Sequence, residues 1–141
     1  MESGASLGDR VTVKNGVSVW EGVTAEDDVF LGPNAVLTND SRPRSKVYHE
    51  HVEGTLLRRG CSIGANATLL CGITVGRYAL VAAGAVVTRD VPDHALVMGN
   101  PARLAGHVCV CTERIDFADG RARCSCGRAF LERQGRVELT D

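Results

Sequence analysis

Between Ile63 and Val87 an aliphatic residue returns every six positions: Ile63, Leu69, Val75, Val81 and Val87. A second apolar residue, mostly small, stands two positions before each next one, at Ala67, Ile73, Ala79 and Ala85. Neither the helical period of 3.6 nor the strand alternation of 2 produces a strict period of six. A six-residue repeat is the signature of a parallel β-helix. The same register runs upstream through Leu7, Val13, Val19, Ala25, Leu31 and Leu37, with companions Val11, Val17, Val23, Val29 and Ala35. Each hexad is expected to form a short strand and a turn, and three hexads to close one triangular coil. The grid residue then points inward and stacks on its counterpart in the next coil. Gly, Asn and Asp supply turns, where φ > 0 is often needed. Twelve hexads predict about four coils, at 7–24, 25–56, 57–74 and 75–92. Stability in such a fold comes from stacking repeat on repeat, across strands about 4.8 Å apart.

The grid breaks after Leu37 and resumes at Leu57, twenty positions on where six would continue it, so about fourteen residues are inserted. The insertion, Asn39 to Gly54, carries Arg42, Arg44, Lys46, Tyr48, His49 and His51. Long excursions from a regular scaffold tend to hold function. Forked arginine donors suit phosphate. The bland alternative is a solvated loop that clasps a neighbouring subunit. Ahead of the loop, Trp20 is expected to face outward, as a subunit contact or as a wall for a flat ligand. Glu21 and Glu26-Asp27-Asp28 form an acidic turn cluster, either solvated or placed to receive an amine. Cys61 takes a small core position, and Cys71 an outward or turn position.

With 141 residues, one domain and a small appendage are expected. Sixteen basic and 17 acidic residues give a net charge of −1, which exerts no general pull on nucleic acid or membrane. No stretch is long and apolar enough to span a bilayer. The polar MESGASLGDR start does not read as a signal peptide, so a cytoplasmic location is expected. Residues 1–6 either cap the first coil or leave that task to a neighbour. The ladder is expected to stop near Val91-Pro92, and Asp93 to Gly106 to turn back across the prism end. We place a boundary there: 1–108 for the β-helix, with its loop at 39–56 and a cover at 93–108, and 109–141 for the appendage. In the appendage, Cys109, Cys111, Cys124 and Cys126 form two close pairs suited to a structural zinc ion. One residue separates each pair where the usual knuckle has two, so reduced thiols and disulfides stay open as alternatives. Thr112 to Arg123 reads as a hairpin turning at Asp119-Gly120, and further strands are expected around Gly135.

Two motifs carry a resemblance. Val81-Ala82-Ala83-Gly84-Ala85-Val86-Val87-Thr88-Arg89-Asp90-Val91-Pro92, with Gly99-Asn100-Pro101-Ala102-Arg103, resembles the end of the acyl-CoA-dependent hexapeptide transferases. Lys14 to Thr24, Glu26 to Asn34, Thr38-Asn39-Asp40 and Pro43-Arg44-Ser45 are similar to the N-acetyltransferases that act on 3-amino groups of nucleotide sugars. The resemblance covers roughly residues 7–108. It implies an all-β, left-handed parallel β-helix and a homotrimer with active sites between neighbouring prisms. It further implies acetyl-CoA as cosubstrate and a nucleotide-linked amino sugar as acceptor. The pantetheine arm would meet backbone groups near Ala65, Ala82 and Ala83, and the CoA phosphates Arg77, Arg89 and Arg103. Asn34, Asn39, Arg44, Tyr48 and His49 are candidates for holding the sugar nucleotide, with Asn34 also stabilising the oxyanion. A sugar amine needs no obligatory base, and no histidine lies within the twelve hexads. O-acetylation through a loop histidine and a catalytically inactive trimeric scaffold are the other readings. A γ-class carbonic anhydrase is disfavoured, because it draws three histidine ligands from the coils.

Overall fold

The computed structural model describes residues 1–140. The described residues hold no helix; the strands are short and stack into three faces of a prism. Face one stacks β1 (Ser6–Leu7), β3 (Val23–Ala25), β6 (Thr55–Leu57) and β9 (Thr74–Val75). Face two stacks β2 (Thr12–Val13), β4 (Phe30–Leu31), β7 (Ser62–Ile63), β10 (Leu80–Val81) and β12 (Ala95–Met98). Face three stacks β5 (Val36–Leu37), β8 (Thr68–Leu69) and β11 (Val86–Val87), and Ser18 bridges to Val36 beneath them. Every pairing among these strands is parallel.

The register reproduces the six-residue grid. Leu7 pairs with Ala25, Val13 with Leu31, Ile63 with Val81 and Leu69 with Val87. Each of those pairs is eighteen residues apart. Across the insertion, Ala25 pairs with Leu57, Leu31 with Ile63 and Leu37 with Leu69, so the spacing rises to thirty-two. The excess of fourteen is the inserted loop, which leaves the prism between faces three and one. The grid side chains form the core: Leu31, Leu57, Ile63, Val75 and Val81 are fully buried, as is the companion Cys61. At the first coil that core opens: Leu7, Val11 and Val17 are partly buried and Val13 is exposed. Residues 1–6 edge this coil without covering it; the Glu2 N–H donates to the Val19 carbonyl and the Gly22 N–H to Gly4.

The corners of the prism explain the polar spelling between grid positions. Left-handed φ values recur in vertical columns: Arg10, Asp28, Gly60, Tyr78 and His94 form one, and Gly16, Asn34, Asn66 and Gly84 another. Carboxylates rivet coil to coil at these corners. Asp27 accepts from the Asp9 N–H at 2.8 Å, Glu26 from Arg59 at 2.8 Å, Asp90 from Thr74 at 2.8 Å and Asp93 from Arg77 at 2.7 Å. Asp28 pairs with Arg10 at 2.7 Å and with Arg59 at 3.4 Å. The acidic cluster at 26–28 thus joins neighbouring coils while staying partly exposed.

The ladder does not end at Val91-Pro92. Val75 bridges Val91 and Val81 pairs with Val97, each sixteen residues on, so the repeat continues after losing two residues. The chain then reverses. Gly99 and Ala102 bond to Val86 on the upper edge of face three. β13 (Arg103–Val108) runs antiparallel to β12, followed by β14 (Arg114–Ile115), both extending face two. Thus 93–108 lengthens one face and edges another. The segment Thr112 to Arg123 turns at Asp119-Gly120 as expected, but its arms part: β14 joins face two, while β15 (Arg121–Arg123) pairs with β16 (Ala129–Arg133), and β16 with β17 (Arg136–Leu139), in a separate sheet. A second apolar cluster, with Ile115, Phe130 and Val137 at its centre, starts at Cys109.

Candidate functional site

The loop at 39–54 folds on itself beside the prism. The Asp40 carboxylate accepts from the Arg42 N–H at 2.9 Å, an Asx turn over Asp40-Ser41-Arg42. Lys46 takes a left-handed φ and the Val47 N–H returns to the Arg44 carbonyl at 3.1 Å. The base of the loop is pinned. Thr38 bonds Leu69 through both its N–H and its hydroxyl, and the Cys71 thiol donates to Glu53 at 3.3 Å. Cys71 stands in a turn, one of the two positions expected, and is buried under the loop base. Burial, then the Glu53 carboxylate, push its thiol pKa up, so it is held as a neutral donor.

The folded loop encloses a cavity of about 610 Å³. Asn39, Tyr48 and His49, three of the residues proposed from sequence, line it together with Asp40, Arg42 and His51. Arg44 lies at the exposed tip and does not line it; Asn34 lies apart, at a prism corner. There its side-chain oxygen packs over Gly16. Asp40 was not singled out from the sequence, yet it organises the site. His49 Nε2 sits 3.3 Å from the Arg42 carbonyl and 3.7 Å from the Asp40 carboxylate. A bond to a carbonyl requires the Nε2–H tautomer, which leaves Nδ1 as the basic nitrogen. Tyr48 is the most exposed large hydrophobic side chain among the described residues, at 88%. Trp20 and Leu70 occupy equivalent corner positions two coils apart, on either side of Thr38, where the loop leaves the prism, with exposed Val36 on the coil between them.

A second cavity, of about 470 Å³, opens where the repeat loses two residues. It is lined by Val87 to Pro92 and by Val97 and Ala102 to Leu104, and it brings Arg89 and Arg103 together. Arg77 is exposed elsewhere, on the corner whose N–H is held by Asp93. The three alanines differ in what their backbones have left to offer. The Ala82 N–H donates to Val97 and its carbonyl accepts from Ala85, so both groups are committed. Ala65 spends its carbonyl on the Gly84 N–H. Ala83, at the same corner one coil up, has no backbone partner among the described residues and is exposed.

In the appendage the four cysteine sulfurs converge, all within 4.8 Å of one another. The Arg128 backbone N–H, then its guanidinium, pull the Cys126 thiol down to about 6.

Comparison with known proteins defines the class. Residues 54–89 match the model for bacterial transferase hexapeptide (six repeats), and residues 1–20 that for the hexapeptide repeat of succinyl-transferase. The chain belongs to the hexapeptide-repeat transferase family, whose prism is a left-handed β-helix. Among its relatives is a dTDP-3-amino-3,6-dideoxy-alpha-D-galactopyranose 3-N-acetyltransferase of Aneurinibacillus thermoaerophilus. It is 51% identical over 83 residues, which cover 59% of this chain and 43% of that protein. Serine acetyltransferase 2 of Arabidopsis thaliana is 36% identical over 72% of this chain and 26% of its own length. The chain thus spans less than half the length of these relatives. A Vibrio cholerae hexapeptide-repeat acetyltransferase solved with acetyl coenzyme A superposes with a TM-score of 0.64 at 26% identity, over 74% of this chain and 61% of that one. A Caulobacter crescentus GDP-perosamine N-acetyltransferase variant, solved with CoA and GDP-perosamine, gives 0.59 at 26%, over 75% and 44%. No helix among the described residues is long and apolar enough to cross a membrane.

Proposed function

We propose that this chain is the β-helix of an acetyl-CoA-dependent N-acetyltransferase whose acceptor is the amino group of a nucleotide-linked sugar. The observation that carries this reading is the polar cavity built by the inserted loop, on a ladder half identical to a dTDP-amino-sugar N-acetyltransferase. Acetyl-CoA lies along the later coils. Its phosphates meet Arg89 and Arg103 in the upper cavity, with Arg77 on the neighbouring corner, and its amide arm meets the free backbone of Ala83 and the Ala65 N–H. The sugar nucleotide takes the loop side, against Asn39, Tyr48 and His49, with Arg44 on the phosphates and Asn34 contributing from its corner. Exposed Trp20, Val36 and Leu70 form the contact between prisms of a homotrimer, which sets each loop against a neighbour's ladder.

In the reaction the amine nitrogen lone pair attacks the thioester carbonyl carbon. The tetrahedral oxyanion collapses, the C–S bond breaks, and CoA leaves as thiolate, which takes up the proton lost by nitrogen. Alignment of amine and thioester carries most of the rate, and an amide or backbone N–H facing the oxyanion contributes further.

One observation favours a second reading, O-acetylation: His49 with its Asp40 neighbour has the form of a base and its orienting carboxylate. Thiol release measured over a panel of nucleotide sugars with amino or hydroxyl acceptors decides between them. Turnover confined to amino sugars supports N-transfer. Turnover with hydroxyl acceptors that vanishes in His49→Ala overturns it, and absence of acetyl-CoA binding by calorimetry returns the chain to a scaffold role.

A further inference from the structure

The four cysteines of the appendage line neither of the two cavities, and the proposed acyl transfer makes no use of them. They sit on two turns with the same bonding. In the first, the Cys109 N–H donates to the Glu113 carbonyl at 2.9 Å and the Thr112 N–H to the Cys109 carbonyl at 3.0 Å. In the second, the Cys124 N–H donates to Arg128 at 2.8 Å and the Gly127 N–H to Cys124 at 2.9 Å. The fourth residue of each turn takes a left-handed φ, 79° at Thr112 and 99° at Gly127. A β-branched residue is a steric outlier there, and such strain persists only where the surroundings impose it. The repetition brings four sulfurs together from two separate segments: Cys109 to Cys126 at 3.5 Å and Cys111 to Cys124 at 3.4 Å.

We propose that Cys109, Cys111, Cys124 and Cys126 bind one structural zinc ion as a tetrathiolate. Zinc–sulfur bonds of about 2.3 Å in a regular tetrahedron separate the sulfurs by roughly 3.8 Å, a modest adjustment of the spacing present. Four sulfurs close the coordination sphere and leave no position for substrate, which is the mark of a structural rather than a catalytic site. Four thiolates on a divalent ion leave a net negative centre, and donors already point at it. The backbone N–H groups of Cys111, Glu113 and Arg128 face the sulfurs of Cys109, Cys111 and Cys126, and the Arg128 guanidinium lies 3.3 Å from Cys126. The apolar cluster beside the site is small, and a segment of that size needs a staple.

The ion also ties the appendage to the prism. Cys109 directly follows β13, and the ring of Phe130 stands edge-on to buried His94 at 5.0 Å, which in turn stacks on Tyr78 of the last full coil at 5.6 Å.

The test is metal analysis of the whole chain purified without metal-affinity resin, followed by exchange of the bound metal for Co²⁺. We expect one zinc per chain, and after exchange the intense visible bands of tetrahedral cobalt with thiolate charge transfer. Cys126→Ser should lower zinc content at least tenfold and expose the 109–140 segment to protease. Should that variant fail to fold, the wild-type stoichiometry and cobalt spectrum still decide. Iron with a rubredoxin-type spectrum, an intact mass showing two disulfides, or a zinc-free chain with four reactive thiols each overturns the assignment.

Discussion

A single methyl group added at Gly64 tests why the ladder spells glycine directly after its grid residue. Gly64 does not adopt a left-handed φ, so conformational freedom does not explain it. Close approach does: a Cβ there would lie 2.6 Å from the Ala83 nitrogen and 2.8 Å from the Val81 carbonyl oxygen, both backbone atoms of the next coil. Against ordinary contact at about 3.5 Å, the overlap is roughly 0.9 Å. The coil cannot yield freely, because the Gly64 N–H to Val81 bond at 2.8 Å and the Ser62 N–H to Ala79 bond at 2.9 Å hold it on the same face. Overpacking of this kind costs about 1–3 kcal/mol, and stretching two backbone bonds adds about 1 kcal/mol each. Gly64→Ala should therefore lose about 3–5 kcal/mol. Gly84 is the control: its φ is 72°, and nothing lies within 4 Å of an added Cβ. Gly84→Ala should lose about 1–2 kcal/mol, the left-handed penalty alone. Urea unfolding of both variants at one fixed chain concentration separates the two effects, with subunit association held constant. If Gly84→Ala proves as costly as Gly64→Ala, close coil stacking is not what glycine serves at position 64.

Burial lowers the pKa of His94, opposed in part by its bond to the Val108 carbonyl and by Asp93, and aided by His107. The unfolded chain therefore takes up a proton near pH 6.5 that the folded chain refuses. Its stability contribution is complete above that pH and falls by at most about 1.4 kcal/mol per unit below it. Thermal melts from pH 7.5 to 5 should show this slope, and His94→Asn, which tolerates the local left-handed φ of 59°, should flatten it. Arg103→Ala should raise the KM for acetyl-CoA about tenfold with little change in kcat, the loss of one charged phosphate contact worth about 1.5 kcal/mol. Arg44→Ala should act likewise on the sugar nucleotide, while His49→Ala should retain kcat within about tenfold if the amine needs no base. Steady-state kinetics with each substrate varied in turn reads all three.

Periodicity made the prism legible because its cause is local and repeated. Ile63, Leu69 and Val75 each need one inward position per hexad, and the fourteen-residue insertion followed from counting. The two-residue loss after Val87 was not legible, because Pro92 and the Gly-Asn-Pro run read as a stop while Val91 and Val97 continue the stack. Nor were the carboxylate rivets: Glu26 holds the N–H of Arg59, thirty-three residues on, and no local pattern announces such a partner. Within the candidate site, Asn39, Tyr48 and His49 meet because one short loop contains them all. Asp40 escaped notice because its role depends on the fold of that loop. Cys71 does lie in a turn, but its cover was not legible, because Glu53 comes from the inserted loop eighteen residues earlier.

The two departures from the period coincide with the two cavities to which we assign the substrates, and the coincidence has a physical cause. A strict ladder commits most of its backbone: the Asn66 N–H reaches the Pro33 carbonyl and the Gly84 N–H reaches Ala65, coil after coil. A regular coil thus leaves a ligand few backbone groups, such as the Ala65 N–H, beside its solvated side chains. Adding fourteen residues pushes polar side chains out from one corner and folds them into a wall. Removing two shifts the next coil out of step, so that Gly99 and Ala102 bond to Val86 and nothing among the described residues reaches Ala83. That corner keeps an N–H and a carbonyl free for an extended amide-bearing ligand, with Arg89 and Arg103 close by. The repeat supplies rigidity, and the two places where its count changes supply the cavities.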